Sequence, residues 1–250
     1  MIKLRPANQR RHDQRSRGEC WHTFYPTGET DPLGDGFGAL GFFSECRLPP
    51  GAVIPRHVSP ANLEVVTYVC GGAIAYEDSM GRSGVVQAGE FQRMTVGLGI
   101  HYSEANASRT DWAHIFQISL RGSEVGVESG REQKRFSAAE RRGELRVIAS
   151  PDARRKSLRI HPDAVIYSAL LDNGQHVVHE IVSGRAAWIH IVQGEVTLGD
   201  LVLTTGDSAG VMTRRSLSVT ASAVSEILVV DLVEPPMTPS SLRSPANTGD

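Results

Sequence analysis

Apolar residues recur along this chain in short runs that end at glycine. Residues 114–120 (His-Ile-Phe-Gln-Ile-Ser-Leu) alternate with a period of two, the mark of a half-buried strand. Residues 63–69 are β-branched and aromatic and stop at Gly71-Gly72. Residues 73–76 follow, then a turn at Asp78-Ser79-Met80-Gly81, then Val85-Val86-Gln87 leading into Ala88-Gly89-Glu90. A further strand is predicted over 37–43. Beyond residue 144 the same texture resumes, predicting strands over 145–148, 164–171, 176–181, 187–192, 196–198, 201–203 and 227–232. Short strands with glycine turns every ten or so residues point to a sandwich or barrel.

Two stretches break the texture. Residues 121–144 are rich in Gly, Ser, Glu, Arg and Lys and read as a solvated linker. Ser137 and Glu140 within it have capping-box spacing, which predicts a short helix. Residues 234–250 are Pro/Ser-rich without periodicity and read as a flexible tail. On either side of the first stretch lies a copy of a repeat: strand, glycine, strand, turn, strand, acidic glycine corner. It occurs once at Gly71-Gly72 to Ala88-Gly89-Glu90 and again at Gln193-Gly194-Glu195 to Thr205-Gly206-Asp207. Two similar antiparallel domains are therefore expected, 1–120 and 145–233, joined by 121–144 and followed by the tail 234–250.

Composition narrows the function. With Lys+Arg at 26 and Asp+Glu at 28, the formal net charge is −2, which leaves no electrostatic footprint for nucleic acid or an anionic membrane. No apolar run approaches a membrane-spanning length, and the basic start has no apolar segment behind it to form a secretory signal. The three cysteines, Cys20, Cys46 and Cys70, are odd in number and lack a C-x-x-C spacing. They are expected to be reduced thiols in a cytoplasmic protein. Cys70, in an apolar strand, reads as inert core.

The candidate chemistry lies in the first domain. Gly51, His57, Ser59, Glu64 and Gly71 are spaced like the first motif of the cupin superfamily, and Gly81, Gln87 and Gly89 resemble the start of the second. Residues two apart on a strand share a face, and in a barrel that face is the interior. A longer set of motifs resembles the pirins: Cys20-Trp21-His22-Thr23-Phe24 with Asp31-Pro32, Phe37-Gly38-Ala39-Leu40, Thr67-Tyr68-Val69, Glu77-Asp78-Ser79-Met80-Gly81, Ala88 to Met94, and Gly97-Leu98-Gly99-Ile100 with Ser103-Glu104. Ser150-Pro151-Asp152-Ala153 and Ser157-Leu158 resemble the bacterial bicupin branch of that family. The resemblance spans residues 1–232. It implies an all-β fold of two cupin jelly-roll barrels, an iron site in the N-terminal barrel, and quercetin 2,3-dioxygenase-like activity in some members.

The metal pattern departs from the family. Pirins hold the metal with His-x-His and a later His-x-Glu. Here His57-Val58-Ser59 keeps only His57, and the segment that follows is one residue longer. The later pair falls on Tyr102 and Glu104. His101 is one residue early, which on a strand sends it to the opposite face unless a bulge turns it inward. His57 and Glu104 are thus the position-matched metal ligands, and His57, Ser59, Glu64, Tyr102 and Glu104 are the candidate pocket residues. A facial triad needs three strong donors, so iron is expected to bind weakly or not at all. The primary expectation is a small-molecule-binding or regulatory bicupin whose protein partner the sequence does not name. The alternative is a metal-dependent, quercetin 2,3-dioxygenase-like enzyme with a rearranged site. The C-terminal barrel has no alternating His-x-His or His-x-Glu and is expected to carry no metal. His176 and His179, three apart, should face opposite sides, and His190, between two isoleucines, reads as a structural histidine.

Overall fold

The computed structural model describes residues 1–15, 18–25, 31–59, 61–122 and 126–235, with backbone alone for residue 15 and residues 55–59. In chain order the first strands are β1 (Ile2–Arg5), β2 (Arg11–Arg15), β3 (Gly18–His22), β4 (Leu40–Leu48), β5 (Val53–Ser59) and β6 (Leu63–Gly71). Then come β7 (Ala73–Asp78), β8 (Ser83–Gln87), β9 (Glu90–Thr95), β10 (Ile100–Asn106), β11 (Ala113–Arg121) and β12 (Gly130–Arg135). The helix α1 (Ala138–Arg141) leads to β13 (Arg146–Ser150), β14 (Leu158–Arg159), β15 (Ala164–Leu171), β16 (His176–Glu180) and β17 (Arg185–Gln193). The last are β18 (Glu195–Leu198), β19 (Leu201–Thr204), β20 (Ser208–Val211), β21 (Ser216–Ala221) and β22 (Ser225–Val233).

The strands form four sheets. The N-terminal unit has a seven-stranded sheet, β12-β9-β6-β11-β4-β3-β2, facing a four-stranded sheet, β5-β10-β7-β8. The C-terminal unit repeats the plan with β1-β20-β17-β22-β15-β13-β14 facing β16-β21-β18-β19. The fold is the expected pair of antiparallel jelly rolls, with each unit built as two facing sheets rather than one continuous hydrogen-bonded ring. The two seven-stranded sheets pack back to back. Phe43, Tyr68, Phe91 and Phe116 of one meet Ile166, Trp188, Leu228 and Val230 of the other in one shared core. This is why β11, β17 and β22 are apolar on both faces: each serves an interior and an interface.

The repeat seen in the sequence is geometric. Gly72 and Gly194 sit at matching corners with φ of 69° and 92°. A β-carbon would come within 2.4 Å of the Trp112 carbonyl oxygen at the first and of the Val224 carbonyl oxygen at the second. Glycine is required at both. The second corners match too: the Gly89 amide donates to the Val69 carbonyl and the Gly206 amide to the Ile191 carbonyl, each at 2.8 Å. The capping box also forms, with the Glu140 amide donating to Ser137 Oγ and the Ser137 amide to Glu140 Oε2.

Three expectations need correction. The first domain does not own residues 1–5: β1 pairs with β20 at the edge of the C-terminal sheet, Leu4 opposite Ala209. Residues 121–144 are not only a linker, because β12 extends the N-terminal sheet beside β9. Its charged sequence hid a strand whose edge position tolerates polar side chains. Cys20 and Cys46 are not reduced thiols. They lie directly opposite each other on β3 and β4, with Cα atoms 4.2 Å apart, and form a disulfide. Spacing along the chain carries no information about this cross-strand register. Cys70 stays free, with its thiol pKa pushed up to about 12, first by burial and then by the charges of Glu226 and Glu45. The predicted tail from 236 onward lies outside the described residues. No helix among the described residues is long and apolar enough to cross a membrane.

Candidate ligand site in the N-terminal unit

A row of polar side chains crosses the inner face of the N-terminal seven-stranded sheet. Strand register places Ser44 opposite Gln117, Gln117 opposite Thr67, Thr67 opposite Gln92, and Gln92 opposite Gln133. Residues directly opposite on neighbouring strands share a face, so these form one belt. Ser44, Thr67 and Gln92 are buried. The matching row of the C-terminal unit reads Tyr167, Val229, Ile189, Ala209 and Leu4. One jelly roll thus has a polar interior and the other an apolar one at the same level.

Glu104 descends onto this belt from β10 in the facing sheet. It is buried, and its Oε1 and Oε2 accept from Gln117 Nε2 at 3.1 and 3.0 Å. Tyr102, two residues earlier and on the same face, is also buried and packs on Val65, Met94, Val96 and Ile100. Burial, then the neighbouring Glu104 charge, pushes its phenol pKa well above the ordinary value, against the opposing charge of Arg131. Tyr102 is therefore a neutral phenol at any physiological pH.

Arg131, from the unforeseen β12, closes one side. Its Nε donates to Asp78 Oδ2 at 2.9 Å and its Nη1 to Gln92 Oε1 at 2.6 Å. Its guanidinium lies over the Tyr76 ring at 4.3 Å and 5.7 Å from the Tyr102 ring centre. Burial alone would raise the Asp78 pKa. The bonds from Arg131 and from the amides of Arg82 and Met80 outweigh it and hold Asp78 below the usual carboxylate range.

The backbone of His57 on β5 lies opposite Tyr102, and that of Ser59 opposite Ile100. Both positions are thus on the strand that flanks the Tyr102–Glu104 row. The pairing of β5 with β10 shifts register between Tyr102 and Glu104, but this irregularity does not bring His101 inward: His101 is exposed. Glu64 is not on this inner face. It shares β6 with Val65 and Thr67 but faces the other way, as strand alternation requires. It accepts from Thr95 Oγ1 at 2.6 Å, contacts His161 Nδ1 at 2.9 Å and lines a cavity of about 20 Å³ between the units. Thr67, Gln92, Gln117 and Arg131 were not foreseen. The available signal was a polar residue interrupting an apolar inward row, as Thr67 does between Val65 and Val69.

Residues 9–120 match the family described as pirin, and residues 147–232 match the family described as quercetinase C-terminal cupin domain. The quercetin 2,3-dioxygenase of Escherichia coli K12 is 36% identical over 232 residues, covering 93% of this chain and 99% of that protein. The chain belongs to the pirin family. A pirin-like protein of Caulobacter vibrioides is 29% identical over 213 residues, covering 84% of this pirin and 90% of its own length. The crystal structure of the pirin YhhW from Escherichia coli superposes with a TM-score of 0.87 at 36% identity, covering 95% of this chain and 99% of that one. Its complex with nickel(II) gives 0.86 at 35% identity, covering 94% and 100%.

Four residues stand at the positions where the resemblance to pirins leads one to expect metal ligands. They comprise one imidazole (His57), one carboxylate (Glu104), one alcohol (Ser59) and one phenol that burial keeps neutral (Tyr102). Two strong donors are one short of a facial triad, and a metal must displace the proton of any phenol or thiol it uses.

Proposed function

We propose that this pirin is a small-molecule-binding bicupin whose N-terminal pocket recognises its ligand by hydrogen bonds and holds iron weakly or not at all. The observation that carries this reading is Tyr102. It stands at the inward position two residues before Glu104, where the family places a histidine, and burial keeps its phenol protonated. A protonated phenol donates a hydrogen bond readily and coordinates a cation poorly. With Glu104, Gln117, Thr67 and Gln92, the pocket offers acceptors and carboxamide donors to a ligand bearing hydroxyl and carbonyl groups.

The test pairs metal analysis with restoration of donors. The purified protein is expected to carry well below one equivalent of iron or nickel after incubation with either. The double substitution Ser59→His, Tyr102→His is expected to raise occupancy at least ten-fold, since changes around ligands alone shift metal affinity about 10- to 100-fold. Stoichiometric metal in the unsubstituted protein would overturn the proposal. The second reading is a metal-dependent quercetin 2,3-dioxygenase-like enzyme. It is favoured by the 36% identity that runs the length of the Escherichia coli enzyme. Stoichiometric metal together with robust oxygen-dependent consumption of quercetin would establish it.

A further inference from the structure

The C-terminal unit carries a polar site of its own, at one end of an otherwise apolar interior. Its inward rows run Val177 and His179 on β16 with Ile181 just past its end, Val165, Tyr167, Ala169 on β15, Arg185, Ala187, Ile189 on β17, and Ile227, Val229, Asp231 on β22. The apolar members fill the interior. The polar members gather at the mouth and line a cleft of about 440 Å³ with Arg154, Pro151 and Val182. Clefts of this size hold small organic molecules.

Asp231 organises the site. It is 4% exposed and takes His179 Nε2 on Oδ2 at 2.5 Å and Arg185 Nε on Oδ1. Burial alone would raise its pKa, but the bonds and charges of His179 and Arg185 hold it below the ordinary value, so it is ionised. The bond to Asp231 occupies Nε2 of His179 and leaves Nδ1 as the second ring nitrogen for hydrogen bonding. Nδ1 has no hydrogen-bond partner among the described residues, and the side chain is 11% exposed. Beside His179, with ring centres 4.9 Å apart, Tyr167 Oη accepts from Arg154 Nη2 at 3.1 Å. Its own proton is thereby turned toward other acceptors. Arg154 is delivered by a turn in which Ala153, Arg155 and Lys156 all have positive φ, a costly conformation for residues other than glycine. The buried pair Ser150–Ser157, bonded at 2.8 Å, holds that turn in place.

His179 also has a register counterpart. It lies opposite Leu217 of β21, four residues before Ala221, which pairs with Val196 two residues past the corner glycine Gly194. His57 lies opposite Tyr102 of β10, four residues before Asn106, which pairs with Ile74 two residues past Gly72. The two histidines thus occupy the same place in the two units. Leu217 and Val219 replace Tyr102 and Glu104, and the carboxylate comes instead from β22.

We infer that the cleft at His179, Tyr167 and Asp231 is a second binding site, for an uncharged, polyhydroxylated small molecule. A ligand hydroxyl would hydrogen-bond with His179 Nδ1 and another would accept from Tyr167, while Val165, Val182 and Pro151 bound the remainder. The carboxylates of Asp152, Asp163 and Glu180 around the rim disfavour an anion and accept further hydroxyls. Phenols and sugars share this chemistry. The experiment titrates catechol and, separately, glucose into the full chain and follows the His179 imidazole resonances by NMR, assigned by their loss in His179→Phe. Reading at His179 keeps binding in the N-terminal pocket from registering. One of the two probes is expected to shift these resonances, and which one does so separates a phenolic from a sugar-type ligand. Tyr167→Phe, which keeps the ring against His179, is expected to weaken that binding three- to ten-fold, the worth of one hydrogen bond. Benzoate is expected to leave the resonances unmoved. The inference is overturned if neither probe shifts them, if Tyr167→Phe leaves the affinity unchanged, or if benzoate binds as tightly as the better probe.

Discussion

Burial sets the protonation state of the most informative side chains. His190 is fully buried between the units, with Phe43 and Phe116 rings 4.5 and 5.5 Å away and Ser208 Oγ at 2.8 Å from Nδ1. Burial pushes its pKa from 6.5 down to about 3, with the charge of Arg10 adding to the effect and that of Glu45 opposing it. The unfolded chain takes up a proton near pH 6.5 that the folded chain refuses until about pH 3. Stability from this residue is therefore complete above pH 6.5 and lost as pH falls from there toward 3. The slope is about 1.4 kcal/mol per pH unit. Urea unfolding at pH 7 and pH 5 should differ by about 2 kcal/mol more in the natural protein than in His190→Phe. Glu45, held down to about 2 against burial by hydrogen bonds from His114 and Arg10, adds its own loss only below pH 4.5. At this scale the sequence was partly legible. The period of two placed Tyr102 and Glu104 inward and His101 outward. The cupin-motif spacing misplaced Glu64, because a motif position says nothing about which face of β6 meets the second unit. The Cys20–Cys46 bond was invisible for a related reason: it depends on the register of two strands.

Among the elements, the strands buried on both faces were legible, as were the edge strands β8, β16 and β19, whereas the polar strands at the margins of the seven-stranded sheets were not. β6, β11, β15, β17 and β22 bury both faces, so their sequences are dense in Val, Ile and Phe and stand out. β2, β3, β12 and β14 sit at sheet margins, where polar side chains suffice and no apolar signal is needed. The corner glycines offer a test of the repeat. Gly194→Ala meets both a positive φ and the Val224 carbonyl oxygen at 2.4 Å. Gly174 has a similar φ of 81° with nothing within 4 Å of an added β-carbon. Gly174→Ala should cost about 1 kcal/mol, the conformational penalty alone. Gly194→Ala should cost at least twice that, because backbone must move, and thermal unfolding of the two variants ranks them.

Across the whole molecule, the back-to-back sheets make the two units one cooperative body. Trp188 of the C-terminal unit is fully buried against Phe24 and Phe37, with ring centres 4.8 and 5.3 Å away. Arg141, between the units, donates to Tyr68 Oη, Ser168 Oγ and Glu226 Oε1. Trp188→Ala should destabilise by about 3–5 kcal/mol, as large cavities in shared cores do. Far-ultraviolet circular dichroism and tyrosine absorbance should still report one coincident transition, since the cavity opens in a core both units share. The pairing of β1 with β20 has a temporal consequence. During synthesis β1 leaves the ribosome some 200 residues before its partner strand exists, an interval of roughly 10–40 s at ordinary elongation rates. Until then the backbone of Ile2–Arg5 has no sheet to join, and the nascent chain must keep that strand from pairing elsewhere. Lys3 and Arg5, alternating with Ile2 and Leu4, supply charges that oppose such mispairing. Closure of the C-terminal edge is thus a late event, accessible to pulse-labelling hydrogen exchange at the amides of residues 2–5.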